Sequence, residues 1–98
     1  MDELKVFWSN SALVQRNRIF EYWNRRNQSK EYSIRLNLSI NSRIKTVRSY
    51  PKLGKPTNIK GYRAIVIGHY NIVYRIRNES IVIVAVFDTR QSPEKLKV

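Results

Sequence analysis

The sequence contains no cysteine, which excludes disulfides and thiolate metal centres and fits a reducing compartment. It has one histidine, His69, and seven acidic residues scattered along the chain. A metal site built on His69 would need several carboxylates close by, so neither a metal nor another cofactor is expected. No apolar run approaches the roughly 20 residues that span a bilayer. The opening "MDELKVFWS" is acidic where a signal peptide would be basic. These features predict a soluble, cytoplasmic protein with no membrane partner. A glycine-rich phosphate loop, a Ser-His-Asp set and a carboxylate pair are also missing, which leaves classical hydrolase and nucleotide-binding chemistry without residues to perform it.

What the chain has in excess is positive charge. Nineteen Lys and Arg against seven Asp and Glu give a formal net charge of +12 on 98 residues. An imbalance of that size implies a polyanionic partner: nucleic acid, a ribosome or an acidic protein. The length allows one domain, residues 1–98, with a single modest core. Hydrophobic residues at 42% are enough for it to fold.

Residues 4–8, "LKVFW", read as a short strand, and the following "SNS" as a helix cap. From Ala12 the stripe Val14, Ile19, Tyr22 and Trp23 marks a first helix, broken at Asn27 and Ser29. Tyr32, Leu36, Ile40, Ile44 and Val47 then recur at helical intervals until Pro51 stops the pattern near Tyr50. Two amphipathic helices separated by a short polar break predict an antiparallel hairpin. Two of the three prolines and two of the three glycines fall in "PKLGKPTNIKG", a loop. Three strands follow: "YRAIVI", then "YNIVYRIR" after a Gly68-His69 turn suited to type II′ geometry, then "SIVIVAVFDTR" after Asn78-Glu79. The continuous apolar run of the last strand suggests a central position with both faces buried. The tail "QSPEKLKV" is expected to leave the sheet. The fold expected is α+β in the order β-α-α-β-β-β, with the helical hairpin on one face of a mainly antiparallel four-stranded sheet.

Strand alternation places Ile72, Tyr74 and Ile76 on one face and Asn71, Val73, Arg75 and Arg77 on the other, towards water. If the registers bring Arg63, Arg75 and Arg90 together there, overhung by Lys52, Lys55 and Lys60, the result is a groove for phosphates, since guanidinium forks match their oxygens. Asp88 can orient Arg90 as a structural anion, with a carboxyl too acidic beside arginines to shuttle protons. His69 reads as an exposed turn residue, and Trp8, Trp23, Tyr22 and Tyr32 as core and helix-packing residues.

Taken in order, "VFWSNSA", "IFEYWNRRNQSKEYS", "SYPKLGKPT", "YRAIVIGHYNIVYRI" and "IVIVAVFDTRQSPEKL" resemble the RelE/ParE superfamily of bacterial type II toxins over nearly the whole chain. That resemblance implies a toxin silenced by an acidic antitoxin, usually encoded beside it. It also implies one of two targets. RelE-like members cut mRNA in the ribosome; ParE-like members poison DNA gyrase without known cleavage. On the ribonuclease reading, Arg63 and Arg90 stand at the family's basic positions and would be catalytic, assisted by Arg75 or a loop lysine. The family's other functional positions carry Ile65, Asn71 and a residue at or near Leu96, which removes acid, base and charge-stabilising groups. The balance therefore leans to the gyrase branch. The alternatives are the mRNA endoribonuclease and a non-toxic basic nucleic-acid-binding module, for which the basic face alone suffices.

Overall fold

The computed structural model describes residues 4–90. The elements run β1 (Lys5–Trp8), α1 (Asn10–Asn27), α2 (Glu31–Ser49), β2 (Lys55–Pro56), β3 (Tyr62–Ile67), β4 (Tyr70–Arg77) and β5 (Ser80–Asp88). The strands form one sheet in the order β1-β5-β4-β3-β2, with β1 parallel to β5 and the other pairs antiparallel. The helical hairpin and the β3–β4–β5 meander match the expectation from sequence. The sheet has five strands where four were expected, because Lys55 and Pro56 leave the loop to pair with Ala64 and Arg63. Two residues, one a proline, carry no alternation to announce such a strand. The expected departure of the tail from the sheet concerns residues outside those described.

Local chemistry explains the helix ends. The Ser9 hydroxyl accepts the Ala12 N–H at 3.0 Å, capping α1. At the other end Gln28 takes the left-handed conformation, φ 51° and ψ 38°, and its N–H and that of Ser29 return to the carbonyls of Arg25 and Asn24. Glycine takes this position without the Cβ penalty a glutamine carries. Gln28→Gly is therefore expected to stabilise the fold by about 0.5–1 kcal/mol, seen as a shifted urea midpoint at unchanged slope. At the β3–β4 turn only the first loop residue, Gly68, has positive φ (59°), the pattern of a type II′ hairpin.

The core lies between the helices and one sheet face. Leu36, Ile40, Ile44 and Val47 of α2 meet Ile65, Ile67, Ile72, Ile81, Ile83 and Val86, so the stripe read on α2 is the buried one. On α1 the inward residues are Ala12, Ile19 and Phe20, with Trp23 half-buried against Tyr32, while Val14 and Tyr22 face outward at 47% and 52% exposure. Tyr22 is thus a surface residue, corrected from the core role expected of it. Its neighbour Trp23 already takes the place against Tyr32, and successive residues on a helix point about 100° apart.

β5 is interior, with β1 on one side and β4 on the other, but β4 holds the middle of the sheet. Nor are both faces of β5 fully buried: Ile81 and Ile83 are enclosed while Val82 and Val84 are half-exposed. Across β4 the pairing steps from Val73↔Ala85 to Tyr74↔Ile83, so Val84 is an extra residue in a bulge. The Gln15 side chain of α1 accepts the Val86 N–H at 2.8 Å beside it.

Candidate functional site

The registers decide where each basic side chain goes, because residues opposite each other in a sheet share a face. Arg75 lies opposite Tyr62 and Val82, on the face away from the helices. Arg63 lies opposite Tyr74, whose side chain is in the helix-side core and 1% exposed. Arg63 and Arg75 therefore belong to opposite faces. The expected ring of Arg63, Arg75 and Arg90 does not form, because consecutive positions on β3 and β4 alternate sides and the hairpin sets Arg63 against Tyr74.

Each of the three arginines has separate local work. Arg63 donates through Nη1 to the Gly54 carbonyl at 2.7 Å and the Lys52 carbonyl at 3.4 Å. It thereby ties down the loop before β2. Tyr74 helps from below: its hydroxyl donates to the Pro51 carbonyl at 2.7 Å and accepts the Gly54 N–H at 2.9 Å. Burial pushes the Tyr74 phenol above its ordinary value of 10.0. Lys52, Lys55 and Lys60 are exposed on and after this fixed loop, and Lys55, opposite Ala64, shares the sheet face of Arg75.

Arg75 stacks against Tyr62, with its guanidinium carbon 5.8 Å from the ring centre and Nη1 donating to the hydroxyl at 3.3 Å. Its Nε is buried and, among the described residues, has no hydrogen-bond partner. Arg77 is exposed at the far end of β4. Val73 was expected to face water beside these arginines, yet it is 1% exposed. It stands in a row of small residues, Ala64, Val73 and Ala85, flanked in register by the longer rows Tyr62–Arg75–Val82 and Val66–Asn71–Phe87.

Arg90 sits just beyond the opposite end of β5, where Asp88 pairs with Tyr70. From Tyr70 to Tyr74, the position level with Arg63, is four residues, or about 13 Å along the strand. Asp88 grips Arg90 as expected: Oδ1 accepts both the Arg90 Nε (2.9 Å) and its backbone N–H (2.8 Å), and Oδ2 accepts Nη2. These bonds hold the Asp88 carboxyl well below the usual carboxylate range, unsuited to a general base. His69 is an exposed turn residue, and its carbonyl accepts the Thr89 N–H at 2.7 Å.

One concavity among the described residues was not anticipated. It is a groove of about 690 Å³ between α1 and the β4–β5 end of the sheet, bordered by Arg18, Tyr22 and Arg26 on one side and Asp88 and Arg90 on the other. Trp23 forms its wall, its indole N–H donating to the Tyr70 hydroxyl at 2.6 Å. The Tyr70 phenol is raised above 10.0 by burial. Arg18, Tyr22 and Arg26 recur every four residues along the flank of the apolar stripe, and that periodicity was the signal available in the sequence.

Two helices on one face of a five-stranded mixed sheet, carrying basic surfaces on loop, sheet and helix, define a RelE/ParE-superfamily toxin. More narrowly, a family model described as "ParE toxin of type II toxin-antitoxin system, parDE" matches residues 6–93, and the chain belongs to that family. Among solved structures it is similar to one titled "Chromosomal ParDE TA system from P. aeruginosa". The TM-score is 0.75 and the identity 14%, over 88% of this chain and 96% of that one, a likeness of fold. No curated protein matches the chain by sequence. Among the described residues, no helix is long and apolar enough to cross a membrane.

Proposed function

We propose that this chain is a binding toxin of the cytoplasm that disables DNA gyrase without cutting RNA, and that an acidic antitoxin neutralises it. The observation that carries this reading is the dispersal of the arginines. Cleaving a phosphodiester through a ribose hydroxyl requires a base, an acid and a charge stabiliser within hydrogen-bond reach of one phosphate. Here Arg63 is committed to two carbonyls on the helix side, Arg75 lies on the opposite face, and Arg90 is clamped beyond the other end of the sheet. Asp88 is too acidic to take a proton near neutrality. Binding needs no such convergence. Lys52, Lys55 and Lys60, with Arg75 and Arg77 on the sheet, offer cations to an anionic partner surface.

The purified chain is expected to inhibit DNA supercoiling by gyrase while leaving a translating ribosome's mRNA intact. Supercoiling assays beside primer extension of a translated transcript check this. Cut transcripts with unaffected gyrase would reverse the assignment in favour of the endoribonuclease. Normal growth on induction without any antitoxin would instead leave only the non-toxic nucleic-acid-binding module.

A further inference from the structure

The loop between α2 and β3 is held more firmly than a mere connection requires. Tyr50, Pro51, Lys52 and Leu53 form a β-turn, with the Leu53 N–H donating to the Tyr50 carbonyl at 2.9 Å and proline in the second position, which suits it. The carbonyls that follow are taken as well: that of Pro51 accepts the buried Tyr74 hydroxyl, and those of Lys52 and Gly54 accept Arg63. The Gly54 N–H closes the set by donating to Tyr74. Connecting segments are ordinarily the mobile part of a surface, and ordering one costs conformational entropy at every residue. Here a core tyrosine and an arginine are both spent on that order.

What the rigid turn carries is apolar. Tyr50 is 68% exposed and Leu53 44%, and the turn sets their Cα atoms within about 7 Å of each other. Lys52 lies between them in the turn, and Lys55 and Lys60 follow, all exposed. Ile34 and Leu38 are comparably exposed, at 57% and 63%, but they ride on α2, whose order comes from its own buried stripe. At Tyr50 and Leu53 the order is supplied specially. A ring beside an aliphatic side chain, with lysines around both, suits a protein interface, where tyrosine is enriched at the dry centre and lysine is left to the wet border. Holding the pair in place beforehand removes an ordering cost that a flexible loop would bear on binding. A nucleic acid would stack on Tyr50 and meet the lysines with phosphates, but it would leave Leu53 without a task.

We infer that Tyr50 and Leu53 are the apolar anchor by which this chain grips its target protein, seated in a cleft whose border is acidic where it meets Lys52 and Lys55. The inference rests on the binding-toxin reading for the identity of that target, gyrase, and on the turn alone for the position and chemistry of the anchor. Surface plasmon resonance with immobilised gyrase and the full chain in solution measures the grip, and induction in growing cells without antitoxin measures arrest. Tyr50→Ala is expected to weaken binding at least about tenfold and Leu53→Ala at least about fivefold. Far-UV circular dichroism checks that each variant is folded, and Leu53→Ala, outside α2, covers the case in which Tyr50→Ala frays the end of that helix. Ile34→Ala with Leu38→Ala, a similar loss of exposed apolar surface on α2, is expected to stay within about twofold. Lys52→Gln with Lys55→Gln is expected to slow association and leave dissociation within about twofold, as charges at a border do.

Binding that survives both single substitutions, or an equal loss from the α2 control, would overturn the anchor. Loss confined to the lysine variant would overturn it in favour of a purely electrostatic contact. Tighter binding of an oligothymidylate that depends on Tyr50 and ignores Leu53 would overturn it in favour of single-stranded nucleic acid. The anchor and the target fail separately. If the unmodified chain arrests growth and spares gyrase, only the target is lost, and relief of arrest by Tyr50→Ala and by Leu53→Ala decides for the anchor as its persistence decides against. A chain that inhibits gyrase equally well without the two side chains overturns the anchor and leaves the toxin reading standing. One that neither arrests growth nor inhibits gyrase overturns both.

Discussion

Gly54→Ala is expected to destabilise this protein severely, and the damage should shrink when Tyr74 loses its hydroxyl. A Cβ built at Gly54 would lie 2.7 Å from the Tyr74 hydroxyl oxygen, 2.8 Å from its Cε1 and 3.0 Å from the Ala64 carbonyl oxygen. The Tyr74 ring cannot swing away cheaply, because it is 1% exposed and its hydroxyl is held between the Pro51 carbonyl and the Gly54 N–H. Overpacking of this kind costs about 1–3 kcal/mol. Tyr74→Phe alone should cost about 1–3 kcal/mol as well, because it strips partners from backbone groups in a closed corner. In the double variant the shortest clash and the hydroxyl disappear together, so the combined loss should fall short of the sum by at least about 0.5 kcal/mol. Thermal melts of the four proteins measure it, at about 4–8 °C per kcal/mol for a domain this size. Strict additivity would mean that the loop does not rest on the tyrosine.

That corner also shows where sequence reading stops. The α2 stripe was legible because Leu36, Ile40, Ile44 and Val47 repeat with the helical period, and all are buried. The β3–β4–β5 meander was legible because glycine, or an asparagine with positive φ, marks each turn. The arginines were not, because alternation says only that neighbours on one strand point opposite ways. Which face Arg63 shares with Arg75 depends on a cross-strand register, and the hairpin sets Arg63 against Tyr74. The same limit hid the β2 pairing and the bulge at Val84, neither of which has a composition of its own. The Asp88–Arg90 clamp was readable because it spans two residues and needs no register. The α1 groove lay between these cases. Its arginines were visible at helical spacing, but only the packing of α1 against β5 turns that flank into the wall of a concavity.

The fate of Arg63 is the sharpest test of the site as a whole. Sequence resemblance would make it catalytic on the ribonuclease reading; the structure gives it a mechanical task, gripping the carbonyls of Gly54 and Lys52. A hydrogen bond from a charged donor to a half-buried carbonyl is worth about 1.5–3 kcal/mol, so Arg63→Ala should lower folding stability by an amount in that range. The loss should be local in origin. Native-state hydrogen exchange is expected to accelerate most at the Gly54 amide, whose bond to Tyr74 depends on the loop staying seated, and least in α1. Arg63→Lys should recover part of both effects, because one ammonium donor can reach one carbonyl but not span two. Gyrase inhibition should fall with loop protection across the three proteins, since Lys52 and Lys55 are presented by the segment Arg63 holds. A residue that served only to stabilise a transition state would behave otherwise. Its alanine variant would keep wild-type melting and exchange and lose activity alone, and that pattern would return Arg63 to the chemistry and undo the binding-toxin assignment.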